Sequence, residues 1–145
     1  MSDAPPQSIQ IVDATPSPSS AQQVLAFLQP FIERELILPR TPAEMIELMR
    51  HGFEARIDNR LIGFVALEVY SRKLGEIQCL AVDAKYQRQG VGRRLVRCCV
   101  DRAAELGVSE LMAISASEAM FRACGFDYSL PNQKRALFIQ PLPDE

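Results

Sequence analysis

The stretch Glu76-Ile77-Gln78-Cys79-Leu80-Ala81-Val82, followed by a polar loop and then Gly90-Val91-Gly92-Arg93-Arg94-Leu95, decides the fold of this chain. The first seven residues alternate, with Ile77, Cys79 and Ala81 on one face and Glu76, Gln78, Leu80 and Val82 on the other, the period of a β-strand. After the glycines, Val91, Leu95, Cys98-Cys99, Ala103 and Leu106 recur at helical spacing, and Gly107 stops the helix. Val108 to Ile114 is again strand-like. A strand, a crossover helix and a second strand joined this way lie parallel in one sheet.

Upstream, Phe53, Ala55 and Ile57 alternate with polar residues, Asp58-Asn59-Arg60 turns the chain, and Leu61 to Tyr70 returns. Ser71 to Gly75 forms a second turn into the decisive strand. Thr41-Pro42-Ala43-Glu44 carries a hydroxyl cap, a first-turn proline and a glutamate three residues on, so a helix starts there with Met45, Leu48 and Met49 buried. An earlier helix runs through Val24, Leu25, Leu28 and Phe31-Ile32, capped by Ser19 or Ser20, after a short strand at Ile9 to Val12. Downstream, Ser117 to Cys124 reads as a short helix, and Phe126 to Tyr128 with Arg135 to Ile139 as a closing strand pair. The order is α/β, an antiparallel meander followed by a parallel crossover.

At 145 residues the chain fits one domain, residues 1–145, with residues 1–7 expected to be disordered because the first twenty residues are rich in Pro, Ser and Ala. Hydrophobic residues make up 48% and charged residues 23%, the balance of a soluble globular protein. There is neither an apolar run of the ~20 residues that a membrane helix needs nor a secretory leader, so a cytoplasmic protein with no membrane partner is expected. The four cysteines lack metal-ligand spacing and sit in apolar segments, which points to reduced core thiols and no metal site. The net charge of -2 argues against nucleic acid as a partner. Locally the picture differs: six of the 16 basic residues, Lys85, Arg88, Arg93, Arg94, Arg97 and Arg102, fall in one short segment. They form either a solvated helix face or the surroundings of an anion.

A glycine-opened helix start aims several free backbone N–H groups and the positive end of the helix dipole at one point, which suits a phosphate. The loop lacks the Gly-Lys-Ser/Thr ending of a nucleotide triphosphate site and the three glycines of a dinucleotide site. On glycines alone, a pyrophosphate cradle and a structural turn remain alternatives.

The surrounding residues narrow this. Leu80-Ala81-Val82, Tyr86-Gln87-Arg88-Gln89-Gly90-Val91-Gly92, Leu95 and Cys124-Gly125-Phe126 together resemble the GNAT family of N-acetyltransferases, whose loop Gln/Arg-x-x-Gly-x-Gly/Ala is matched from Gln87 to Gly92. The resemblance implies a mixed, mostly antiparallel sheet with a central parallel strand pair splayed around acetyl-CoA and about four flanking helices. It places the cofactor against Leu80, Ala81, Val82, Gln87, Arg88, Gln89, Gly90, Val91, Gly92, Arg93 and Phe121. Many members carry a tyrosine at the position of Phe121 to protonate the leaving thiolate, so here Ser117, one helical turn earlier, becomes the candidate. Ser117 can equally be the cap of its helix, and Tyr128 is a more remote candidate acid. Glu76 matches a glutamate used as base in the histone-acetyltransferase branch, the alternative being a surface glutamate at a strand start. The backbone N–H of Leu80 is the expected oxyanion donor.

Within the family, Ile37-Leu38-Pro39-Arg40-Thr41, Lys73-Leu74-Gly75-Glu76-Ile77, Cys79-Leu80-Ala81-Val82 and Arg135-Ala136-Leu137 resemble the acetyltransferase domain of bacterial N-acetylglutamate synthases, in a stand-alone form. That likeness makes Arg40, Lys73 and Arg135 candidate ligands for the carboxylates of a glutamate substrate, against their reading as solvent-facing charges. The expected partners are acetyl-CoA and a small amine, with a homodimer as an open assembly. Other amines, or a non-catalytic acyl-CoA-binding module, stand as alternatives.

Overall fold

In the computed structural model, which describes residues 8–115, 117–127 and 137–142, the sheet grows outward from one hairpin. Two residues join β2 (Gly52–Ile57) to β3 (Arg60–Val69), and Asp58 there has a left-handed φ of 53°. Aspartate is one of the few residues besides glycine that tolerates this conformation, and such a turn matches the strands' own twist. β4 (Leu74–Val82) returns antiparallel to β3, and β1 (Gln10–Asp13) lies antiparallel to β2. β5 (Glu110–Met112) pairs parallel with β4, giving the order β1-β2-β3-β4-β5.

Among the described residues four α-helices cover the sheet. α3 (Val91–Glu105) packs on one face, where Phe53, Val65, Leu67, Ile77, Leu95 and Cys99 form one core. α1 (Pro18–Glu33) and α2 (Pro42–Leu48) cover the opposite face, against Phe64, Ala66, Leu28, Met45 and Met49. Each fully buried side chain of this size contributes about 2 kcal/mol by leaving water. α4 (Glu118–Ala123) lies beyond β5 and adds Phe121 to the α3-side core.

The α2 start has the anticipated reciprocal cap: Thr41 Oγ1 accepts from the Glu44 N–H at 3.1 Å, and Glu44 Oε1 accepts from the Thr41 N–H at 2.9 Å. At α1 the cap is Ser17 rather than Ser19 or Ser20, because Pro18 fits the first helical position and lets the helix begin earlier. The strand expected over Val108 to Ile114 is shorter for a related reason. The Val108 N–H bonds the Ala103 carbonyl at 2.9 Å and the Gly107 N–H the Ala104 carbonyl at 3.1 Å, so Val108 closes α3. Phe126 closes α4 in the same way, with its N–H 3.0 Å from the Phe121 carbonyl and Gly125 at φ 94°. No strand therefore starts at Phe126. Tyr128 and Arg135, with most of the anticipated closing pair, lie outside the described residues, and Leu137 to Ile139 carry no strand.

Candidate active site

β4 does not keep one alternation along its length. Phe64 pairs with Ala81 but Ala66 pairs with Gln78, so β4 carries one more residue than β3 across that interval. Cys79, inside this bulge, has a left-handed φ of 56°. An extra residue in that conformation reverses the side-chain phase. Ile77 belongs to the α3-side core, Cys79 and Ala81 to the α1–α2 side, and Leu80 and Val82 return to the α3 side. Glu76, opposite Glu68, therefore does not share a face with Leu80, as unbroken alternation implies. It faces the α1–α2 side with Gln78. Nothing in the spacing of apolar residues announces a left-handed cysteine in mid-strand.

The bulge sits where the sheet opens. β4 and β5 pair at Leu74↔Glu110, Gly75↔Leu111 and Glu76↔Met112, and the pairing ends there while β4 runs on to Val82. The edge of β4 beyond Glu76 is thus left beside a gap among the described residues. Exposed strand edges accept extended ligands through main-chain hydrogen bonds.

At the end of β4 lies the glycine loop. Arg88 and Gly90 both have left-handed backbones, with φ 64° and 82°. A Cβ built on Gly90 meets nothing within 4 Å, and one on Gly92 meets only Val82 at 3.9 Å, so the approach to the α3 N-terminus is open. Gln87 Nε2 donates to the Val82 carbonyl at 2.9 Å and ties the loop to the end of β4. Val91 is buried beneath the first turn, whereas Gln87, Arg88, Gln89, Gly90 and Arg93 are exposed around it. Arg94 turns away and donates to the Ile9 carbonyl at 3.2 Å. The cradle combines unused helix N–H groups with free guanidinium side chains and suits a diphosphate.

On the α1–α2 face the structure assembles a polar chain that the sequence reading did not contain. Arg40 Nη2 donates to Gln78 Oε1 at 2.8 Å, and Gln78 Nε2 donates to Glu68 Oε2 at 2.9 Å. The Tyr70 hydroxyl lies 2.6 Å from Glu76 Oε1 and 3.2 Å from Glu68 Oε2. Partial burial, then the bond to Glu76, push the Tyr70 phenol well above its ordinary range. The signal for this cluster was the register: Glu68 and Gln78 take up alternate places on two strands joined by a short turn. Beside the cluster a cleft of about 440 Å³ opens between α2 and the end of β3, with Arg40, Glu44, Glu68 and His51 in its wall.

The remaining anticipated residues fall in different places. Arg40 reaches the bulge region, but its Nη1 is occupied by the Leu38 and Pro39 carbonyls at 3.2 and 3.4 Å. Lys73 lies in the exposed β3–β4 turn, seven residues or ~23 Å of strand from Leu80. Ser117 stands at the start of α4 with no side-chain capping bond, its hydroxyl exposed. Phe121 is buried and packs edge-on against Phe126, with ring centroids 5.3 Å apart. Burial pushes the Cys79 thiol up to about 11 and the Cys99 thiol up to about 12, so neither is a ready nucleophile. His51, the single histidine, accepts from Arg102 at 3.2 Å and is in its neutral form, since arginine can only donate. Among the described residues no group of three or more His, Cys, Asp or Glu is disposed to hold a metal, and no helix is long and apolar enough to cross a membrane.

Splayed parallel strands, a bulge at the opening and a glycine-lined helix start define an acyl-CoA-type acyltransferase fold. Residues 23–126 match the acetyltransferase (GNAT) family, and the chain belongs to it. Over 91 residues it is 32% identical to an uncharacterized N-acetyltransferase of Chlorobaculum tepidum, covering 63% of this chain and 59% of that protein. Over 96 residues it is 35% identical to the amino-acid acetyltransferase of Neisseria meningitidis, covering 63% of this chain but 21% of that longer protein. Its fold superposes, with TM-score 0.71 and 28% identity, on N-acetylglutamate synthase from Neisseria gonorrhoeae in complex with coenzyme A and N-acetyl-glutamate, over 83% of this chain and 28% of that one. The chain thus spans about three fifths of the first of these relatives and between a fifth and a third of the other two.

Proposed function

We propose that this chain transfers the acetyl group of acetyl-CoA to the amine of a small amino acid, with glutamate as the first candidate. The observation that carries this is the opening of the β4–β5 pair after Glu76↔Met112 beside the left-handed bulge, in line with the open N-terminus of α3. The pyrophosphate of the cofactor would rest on Gly90, Val91 and Gly92 with Arg88 and Arg93 around it, and the pantetheine arm would lie along β4 at Leu80 and Val82.

In this reading the acceptor nitrogen attacks the thioester carbonyl carbon, and the resulting oxyanion is held by the Leu80 N–H. The carbon–sulfur bond then breaks and the CoA thiolate leaves, taking up the surplus proton of the new amide nitrogen by relay through water or the exposed Ser117 hydroxyl. An amine of pKa near or above 8 is mostly protonated at neutral pH, so its proton must first be removed. Glu76 is the base, and the four strand steps from it to Leu80, up to ~13 Å, require a water relay. Glutamate as acceptor is supported by the amino-acid acetyltransferase relatives and by Arg40, which stands beside the bulge. A different amine is favoured by the same arginine's engagement with Gln78 and two carbonyls, and by the acidic pair Glu68 and Glu76 close by.

The test is thiol release from acetyl-CoA with a panel of amino acids, polyamines and peptide N-termini. Release with glutamate above all others is expected. Tight acetyl-CoA binding with no release for any amine would overturn the enzyme reading and leave a binding module.

A further inference from the structure

We infer that Tyr70 is a positioning residue for Glu76, fixing one carboxylate oxygen and keeping the other free for the water that carries the amine proton. The inference rests on Glu76 being the base. Three observations carry it. The contact between the Tyr70 hydroxyl and Glu76 Oε1 is 2.6 Å, the length of a charge-assisted O–H···O bond. Glu68 and Glu76 are direct cross-strand partners, an arrangement of like charges that is unfavourable unless something stands between them. The phenol stands there, with Glu68 Oε2 at 3.2 Å on its other side.

A hydroxyl has one proton, and the shorter contact places it toward Glu76. Glu68 is supplied instead by the Gln78 amide at 2.9 Å, itself held by Arg40. The charged groups facing Glu76 are therefore Glu68 from β3 and, through Gln78, Arg40 from the loop before α2. Of the other groups along the cleft wall, Glu44 is committed to its cap with Thr41, and Glu47 pairs with Arg50 at 3.0 Å. Tyr70 itself is raised well clear of neutral pH, so it remains a donor throughout the working range. A donor fixed on one oxygen stabilises the ionised carboxylate and holds its Cδ plane. The second oxygen then has a defined direction in which to order water.

The test is Tyr70→Phe, which keeps the ring and removes only the hydroxyl of a half-exposed side chain. Thiol release is measured against pH with the amine that the panel selects. Tyr70→Phe should lower kcat about tenfold, the loss of one hydrogen bond that holds the base in place. The KM for acetyl-CoA should stay unchanged, and Tyr70→Phe/Glu76→Gln should be no slower than Glu76→Gln alone. An unchanged kcat with Tyr70→Phe overturns the inference while leaving the base reading intact, provided Glu76→Gln abolishes the acidic limb of kcat. An acidic limb that survives Glu76→Gln, or an absence of release with every amine, overturns the base reading and this inference with it.

Discussion

Replacing Gly90 by Asp and by Asn separates the chemistry of the loop from its backbone. Gly90 has φ 82°, where an ordinary side chain costs about 1–2 kcal/mol and Asn or Asp less. Nothing lies within 4 Å of an added Cβ, so no clash is added to that strain. Both variants should therefore lose only about 1 kcal/mol, which lowers Tm by about 3 °C in a domain of this size. They differ by one charge. A carboxylate about 5 Å from a phosphate, at an effective dielectric of about 20, is repelled by about 3 kcal/mol, which weakens Kd by about two orders of magnitude. Calorimetric titration with CoA should show Gly90→Asn binding within about tenfold of wild type and Gly90→Asp about 100-fold weaker than Gly90→Asn. The gap should narrow as salt is added, because exposed charges are screened. Equal CoA affinity for the two variants at low salt would refute the assignment of this loop to a phosphate.

Gln87→Ala removes the bond to the Val82 carbonyl and should weaken CoA about three- to tenfold while leaving the urea midpoint nearly unchanged. Gly63→Val places a branched side chain where a Cβ already meets the Ala55 Cβ at 3.1 Å and the Leu95 Cδ1 at 3.2 Å, so unfolding in urea should show a loss of about 1–3 kcal/mol. His51 has its pKa lowered by partial burial first and then by the Arg102 guanidinium. Its contribution to stability is therefore complete above the unfolded pKa of about 6.5 and is lost as pH falls through the lower folded value. A pH series of Tm should show this acid-side loss in wild type and less of it in His51→Gln. Iodoacetamide at pH 8 should leave Cys79 and Cys99 unlabelled in the native protein and modify them after unfolding, because their thiols are pushed up to about 11 and 12.

Much of the fold is local and therefore legible. The α2 start needs only Thr41, Pro42 and Glu44, and all three act on neighbours within one turn. The β2–β3 hairpin follows from two alternating runs around Asp58-Asn59, and the parallel crossover from a glycine-opened helix between two strands. What misled were residues with two local options. Ser17 and Ser19 can both cap, and the proline between them decides for Ser17. Val108 and Phe126 look like strand starts, but each follows a left-handed glycine and gives its N–H to the helix just ended. A glycine that stops a helix thus also claims the residue after it, which shortens whatever strand follows.

The open glycine-led start of α3 was equally legible, because it is made of backbone and the glycines that expose it. The acceptor side is made of side chains from three distant segments, and its arrangement depends on one dihedral angle. The left-handed turn at Cys79 reverses the phase of β4, so Glu76 and Gln78 face α1 and α2 while Leu80 turns to α3. With an unbroken strand, Glu76 and the Leu80 side chain share a face and the leucine crowds the path from base to amine. With the bulge, the proposed path would run past Gln78 and the main chain at Cys79, whose polar atoms can order water. The same reversal brings Gln78 between Arg40 and Glu68, and through them reaches the Tyr70 hydroxyl on Glu76. Straightening the bulge would move the acceptor-side groups relative to the gap without touching the phosphate cradle. In the proposed reaction, binding of the cofactor at Gly90 and its neighbours and deprotonation of the amine by Glu76, upstream of the Cys79 bulge, would therefore be separable.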